Sequence, residues 1–308
     1  MKRRIFVLVL ALALVLTMSA VPGFAATKHV VQVSEKDYDI DENGTEELTW
    51  SWQDTYKNGL LQKYKIKSID KNYDWNEETG EEIVTKEEIE RVTTYSYKNG
   101  RTSQTVTTEN GKKSSKTVYK YKNKKISTIT RYNYDGGYKK SAVTKYTYGK
   151  NKTTSTTTYV GNDPTTKNVS YYNNKGRLTK SEYYIGGKKN STTTYTYWDN
   201  GNMKKSVQKS EESTYTSTYN KKGLEIKTVS EYKDSKYVYT YKYNSNGLKT
   251  EEVFKSTYKI DGNNQTNTTT TKFKYSNYYG STKKYPKTVK IYTDGKYTRK
   301  EIREYKKI

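Results

Sequence analysis

The sequence predicts an all-β protein, an elongated, twisted or spiral antiparallel meander of about eight two-stranded hairpin repeats with a period near 24 residues. Three observations predict it. Tyrosine occurs 35 times although only 31% of the residues are hydrophobic. Paired aromatics recur at near-constant spacing. Glycine-bearing turn signals fall between them.

The recurring phrase is Tyr, any residue, Tyr, two or three polar residues, Gly, then a basic or apolar residue. It reads Tyr95-Ser-Tyr97-Lys-Asn-Gly100, Tyr195-Thr-Tyr197-Trp-Asp-Asn-Gly201 and Tyr241-Lys-Tyr243-Asn-Ser-Asn-Gly247. Variants are Tyr172 with Gly176 and Tyr219 with Gly223, and degenerate copies begin at Tyr119/Tyr121, Tyr146/Tyr148 and Phe273/Tyr275. An outlying copy at Tyr56 and Gly59 leaves about 68–92 as an insertion. A second set of turn signals lies midway: Asn110-Gly111, Asp135-Gly136-Gly137, Gly186-Gly187 and Asp294-Gly295. Such pairs supply the positive φ angles of tight hairpins, so each period holds two turns and two strands.

Alternation supports half-buried strands. Tyr237, Tyr239, Tyr241 and Tyr243 fall on one face, and Lys236, Val238, Thr240 and Lys242 on the other. Rows of cross-strand tyrosines, worth about 0.2–1 kcal/mol per pair, stand in for a sparse aliphatic core. Roughly sixteen strands at about 4.8 Å each predict an open sheet roughly 75 Å long, curled by strand twist. Helical periodicity is confined to Glu81–Arg91.

The chain divides into a signal peptide over 1–25, an acidic segment over 26–50 and the repeat array over 51–308. Lys2, Arg3 and Arg4 precede the apolar run Ile5–Leu16, and Gly23-Phe24-Ala25 offers a cleavage site. This predicts a secreted, extracellular protein, wall-associated, with no membrane span after cleavage. The net charge is +24, unevenly placed: 8 Lys/Arg against 17 Asp/Glu over 27–90, and 46 against 16 over 91–308. A basic, tyrosine-rich array suits polyanions, since charge attracts and rings stack.

Catalytic parts are scarce. The chain has no cysteine and one histidine, His29, so thiol, zinc and serine-triad chemistry lose their usual groups. Glu211-Glu212 and Glu251-Glu252 are adjacent on strands and face opposite ways. No catalytic, cofactor or metal residue is assigned, and no enzyme activity is expected. Asp39–Gly44 and Asp70–Asp74 each match part of a calcium loop, the first lacking its final Glu and the second its Gly.

The phrases at Tyr172–Thr179 and Tyr197–Met203 resemble the YD repeat of bacterial Rhs and wall-associated proteins. They are more loosely similar to cell-wall-binding aromatic repeats. The resemblance spans roughly 51–308. It implies β-hairpins spiralling into an extracellular sheet, in a standalone surface protein rather than a toxin carrier. The expected partner is an anionic wall polymer or glycan, with nucleic acid disfavoured. The alternative is a structural or protein-interaction module, a spacer or the partner of an exported effector.

Overall fold

A computed structural model describes residues 30–76, 78–79, 81–260 and 263–308. Twenty strands follow one another. The first five are β1 (Val30–Ile40), β2 (Glu46–Lys57), β3 (Leu60–Asn76), β4 (Glu81–Lys98) and β5 (Arg101–Glu109). Next come β6 (Lys112–Lys122), β7 (Lys125–Tyr134), β8 (Tyr138–Tyr148), β9 (Lys152–Tyr159) and β10 (Thr166–Tyr172). The third group is β11 (Leu178–Ile185), β12 (Lys188–Tyr197), β13 (Met203–Ser210), β14 (Ser213–Tyr219) and β15 (Glu225–Tyr232). The chain ends with β16 (Ser235–Tyr243), β17 (Lys249–Ile260), β18 (Asn263–Tyr278), β19 (Pro286–Thr293) and β20 (Lys296–Lys307).

Each strand pairs antiparallel with the next, and β1 pairs with both β2 and β20. The sheet is therefore a closed up-and-down barrel, not an open spiral of eight repeats. Residues 30–40 and 296–307, at opposite ends of the sequence, supply the two strands that meet. Strand twist accumulates around a long meander, and closure leaves no edge with unpaired N–H and C=O groups. Both described chain ends lie at the rim where even-numbered strands end.

The turns take two geometries, and the primed two-residue form occurs in both sets. Asn58/Gly59, Asn99/Gly100, Asn110/Gly111 and Asp294/Gly295 carry paired positive φ angles, as two-residue primed turns require. The longer turns after β10, β14 and β16 are built on asparagine. Asn173 Oδ1 accepts from Lys175 N and Arg177 N, while Gly176 N donates to Asn173 O. Asn220 and Asn244 repeat this arrangement. These turns stack in order around the rim. A Cβ on Gly201, whose φ is +93°, would meet Arg177 Nη2 at 2.5 Å.

A tyrosine near the end of seven even-numbered strands ties each of them to the strand before it. A register shift precedes Tyr97, Tyr121, Tyr197 and Tyr243 on their strands. Their hydroxyls donate to the carbonyls of Leu61, Thr102, Leu178 and Glu225, near the start of the preceding strand. Tyr148, Tyr275 and Tyr305 donate likewise to Ile126, Lys249 and Pro286, all seven at 2.5–3.1 Å. The bulge re-aims the ring, and the phenol satisfies a carbonyl at the mouth of the turn.

Aliphatic burial is slight. Ile129, Ala142, Val169, Val289 and Ile291 are the buried hydrophobic residues among those described. Two further expectations change. Glu81–Arg91 is strand, part of a long hairpin with β3, because Val84, Glu88 and Val92 pair across it with Tyr73, Ile69 and Lys65. Asp70–Asp74 lies within β3 and is no loop. The signal segment and His29 lie outside the described residues.

Two outcomes test this architecture. Lys36 and Ile302 are directly opposed across β1 and β20. Cysteines replacing both, in a chain with no other cysteine, should form an intramolecular disulfide, since opposed antiparallel Cα atoms sit about 4.5–5.5 Å apart. A thiol titration finding two free sulfhydryls under oxidising conditions would show the sheet open. Tyr197→Phe and Tyr243→Phe should each lower unfolding free energy by about 0.5–1.5 kcal/mol in denaturant melts.

Candidate functional site

A closed sheet has an inner and an outer wall, and strand alternation assigns each residue to one of them. Following the register from strand to strand gives two continuous faces. On the first lie Tyr95, Tyr119, Tyr146, Tyr195 and Tyr241, the leading tyrosines of their phrases. The terminal tyrosines Tyr97, Tyr121, Tyr148, Tyr172, Tyr197, Tyr219 and Tyr243 join them at the rim. Gly100, Gly176, Gly201, Gly223 and Gly247 stay in the turns, all at positive φ. Between the rings stand small hydroxyl residues such as Thr144, Ser217 and Thr228.

This face points inward. Side chains on a concave wall converge, and most of the deeply buried residues lie here, including Ile129, Thr144, Ser217, Thr228 and Val289. Ser34, Val169 and Thr288 are exceptions. A cavity of 640 Å³ opens on the same face, lined by Thr271, Phe273, Ile291, Arg299, Glu301 and Asp39 among others. These residues span the adjoining strands β18, β19, β20 and β1. Coplanar ring pairs line this face: Tyr146 with Tyr148 at 6.4 Å and 14°, Tyr239 with Tyr241 at 6.4 Å and 9°.

The inner wall carries much of its charge at the seam where the barrel closes. Glu35 faces Arg303, Asp37 faces Glu301, and Asp39 faces Arg299. Arg303 Nε lies 2.8 Å from Glu35, and Arg299 Nη2 lies 2.9 Å from Glu301. Arg303 also pairs with Glu301, whose residue is only 5% exposed. Carboxylate oxygens of Glu35, Asp37 and Glu301 come within 4.8 Å of one another, a spacing a cation could use. Arg299 and Arg303 offset two of the three carboxylates through ion pairs to Glu35 and Glu301, so the group's evident role is to key β1 to β20.

The outer wall is different. Around β12–β16 its middle row reads Thr194, Val207, Thr216, Val229, Val238. Around β5–β9 it reads Gln104, Val118, Thr130, Val143, Thr158. Lysines flank these stretches, and the β12–β16 row ends on Lys180 in β11 and Lys255 in β17. Lys205 and Lys209 bracket Val207, and Lys116 and Lys120 bracket Val118, four residues apart or about 13 Å along the strand. Some tyrosines also face out and sit under lysines, as Tyr171 does 4.3 Å from Lys180 and Tyr132 does 4.7 Å from Lys116.

This division corrects the binding surface inferred from sequence. Lys and Tyr alternate along a strand, so period two sends most rings inward and most lysines outward. A surface interleaving most of the lysines with most of the tyrosines, as inferred for an anionic wall polymer or glycan, is therefore not what the fold presents; a minority of rings, such as Tyr132 and Tyr171, share the outer wall with lysines. Barrel closure likewise removes the open sheet assumed for a secreted, wall-associated spacer or effector partner. It also overturns the expectation of no membrane span, which considered helices alone. Among the described residues no helix is long and apolar enough to cross a membrane, which says nothing of strands. At Asp39–Gly44 the turn is closed internally: Asp41 Oδ1 accepts from Asn43 N and Thr45 N.

No family model matches the sequence, so the resemblance to YD and Rhs repeats gains no support, and no curated protein matches it either. Among solved structures it is similar to a porin-like protein from Bacteroides uniformis. That chain is 15% identical with a TM-score of 0.37, over 89% of this chain and 95% of that one. The overlap is loose.

The seam makes a prediction with opposite signs. Arg303→Gln strands Glu35 and Glu301 without their shared cation and should cost about 2–3 kcal/mol, with Arg303→Lys restoring part of it. Asp37→Asn removes a carboxylate set against another and should be neutral or stabilising by up to about 1 kcal/mol. Chemical denaturation of both variants checks the pair.

Proposed function

We propose that this chain is a membrane-inserted β-barrel pore. The observation that carries the proposal is closure of an even-numbered antiparallel meander by β1 and β20. Twenty strands tilted by about 40° give a circumference of roughly 125 Å and a diameter near 40 Å for a circular section. Barrels of sixteen strands or more leave an aqueous channel unless something plugs them. Among the described residues, everything outside the strands is a turn or loop of at most seven residues at a rim, and none of these fills the lumen.

The walls set the terms of insertion. Membrane barrels present an apolar band about 25 Å tall, and the Val/Thr belt between lysine rows is about half that. A lysine held at the bilayer midplane costs about 2–4 kcal/mol, falling to about 0–1 kcal/mol at the interface. The difference is decided by the side chain: a lysine stem reaches about 6 Å, covers apolar surface and carries its ammonium outward. Rows above and below the belt can each snorkel away from it, and the two stems extend the covered height toward that of a thin bilayer. The lumen, dominated by Tyr, Ser and Thr, then faces water with little net charge outside the seam. No catalytic step belongs to this proposal.

The mature chain, refolded into planar bilayers, should give stepwise conductance with low ion selectivity. Folded protein that never conducts, at any lipid composition, would overturn the proposal. Val207→Arg with Val229→Arg places cations in the belt itself, at about 2–4 kcal/mol each. The double variant should keep its strand circular dichroism in detergent and lose co-flotation with vesicles.

A further inference from the structure

We propose that the lysine row nearer the tyrosine rim is a binding surface for anionic phospholipid headgroups, a proposal that rests on the pore assignment above. Lys120 pairs across to Thr128, which pairs to Lys145. Lys205 pairs to Thr218, which pairs to Lys227. Lysine thus occupies alternate strands in two short register rows on the tyrosine-rim side of the belt, about 10 Å apart across the sheet. All four are exposed, and none has an ion pair among the described residues. Elsewhere on this wall lysines do find carboxylates, as Lys180 does with Glu182 and Lys242 with Glu251. The row is therefore cationic by placement, not only by composition.

The arrangement selects the ligand. Exposed, unpaired cations on the rim side of an apolar belt match charges that lie in a layer along that rim. Headgroup phosphates form such a layer. The snorkelled ammonium groups that let the belt enter a bilayer end where those phosphates lie, so binding and insertion share one geometry.

The test compares vesicles of neutral phosphatidylcholine with vesicles containing about a third phosphatidylglycerol, at low and high salt. Flotation should recover the mature chain at least tenfold more effectively on the anionic vesicles, with the preference shrinking as salt rises. The variant Lys120→Gln, Lys145→Gln, Lys205→Gln, Lys227→Gln should lose most of that preference. Its fold is verified separately by strand circular dichroism and by the disulfide that Lys36→Cys and Ile302→Cys form when added to the same background. Equal flotation and equal conductance with both lipids would overturn the headgroup surface while leaving the pore standing. A quadruple variant that keeps the full preference would also overturn it. Failure to associate with either vesicle would remove the pore and this surface together.

Discussion

Backbone hydrogen bonding around a closed ring takes the place of a core in this protein. Only a handful of aliphatic side chains are buried, so hydrophobic burial cannot hold twenty strands in register. The ladders can, provided none is left unpaired. Any opening between β1 and β20 would expose two long edges at once. Each hairpin therefore depends on the ring being complete, and residues at the two ends of the chain are as structural as those in its middle.

Local devices make the ring regular. At the rim, a tyrosine hydroxyl fastens seven of the even strands to the start of their predecessors, from Tyr97 on Leu61 to Tyr305 on Pro286, with a bulge before the ring in β4, β6, β12 and β16. The asparagine turns beyond them stack, with Arg177 over Gly201 and Asn202 over Gly223. A phenol is suited to the task because its ring contributes packing along the wall while its hydroxyl reaches a carbonyl. Phenylalanine would supply only the first, which is why tyrosine stands at these seven positions.

The same alternation that builds the strands sorts their chemistry. Phenols and small hydroxyls line one wall, lysines and a thin Val/Thr belt the other, and the seam concentrates acids against arginines. The seam differs from ordinary hairpins for a reason. Strands joined by a turn have their register set by that turn, whereas β1 and β20 meet with no connection between them. Opposed charges at Glu35/Arg303 and Asp39/Arg299 supply the register information that a turn supplies elsewhere.

By itself the sequence determined what is local: strand character from period-two Tyr and Lys, turn positions from Asn-Gly and Asn-x-x-Gly, and hence a meander. Those signals act within about two dozen residues, where one turn fixes one register. Only the tertiary structure decided that the meander closes, because closure depends on twist summed over twenty strands and on a contact between residues 30–40 and 296–307. It also decided which wall faces in. Alternation separates two faces without saying which is concave, and the difference between a ribbon that displays lysine and tyrosine together and a barrel that divides them lies in that curvature. The acidic stretch near the start and the basic end of the chain held a trace of the seam, legible only once the two strands are known to be neighbours.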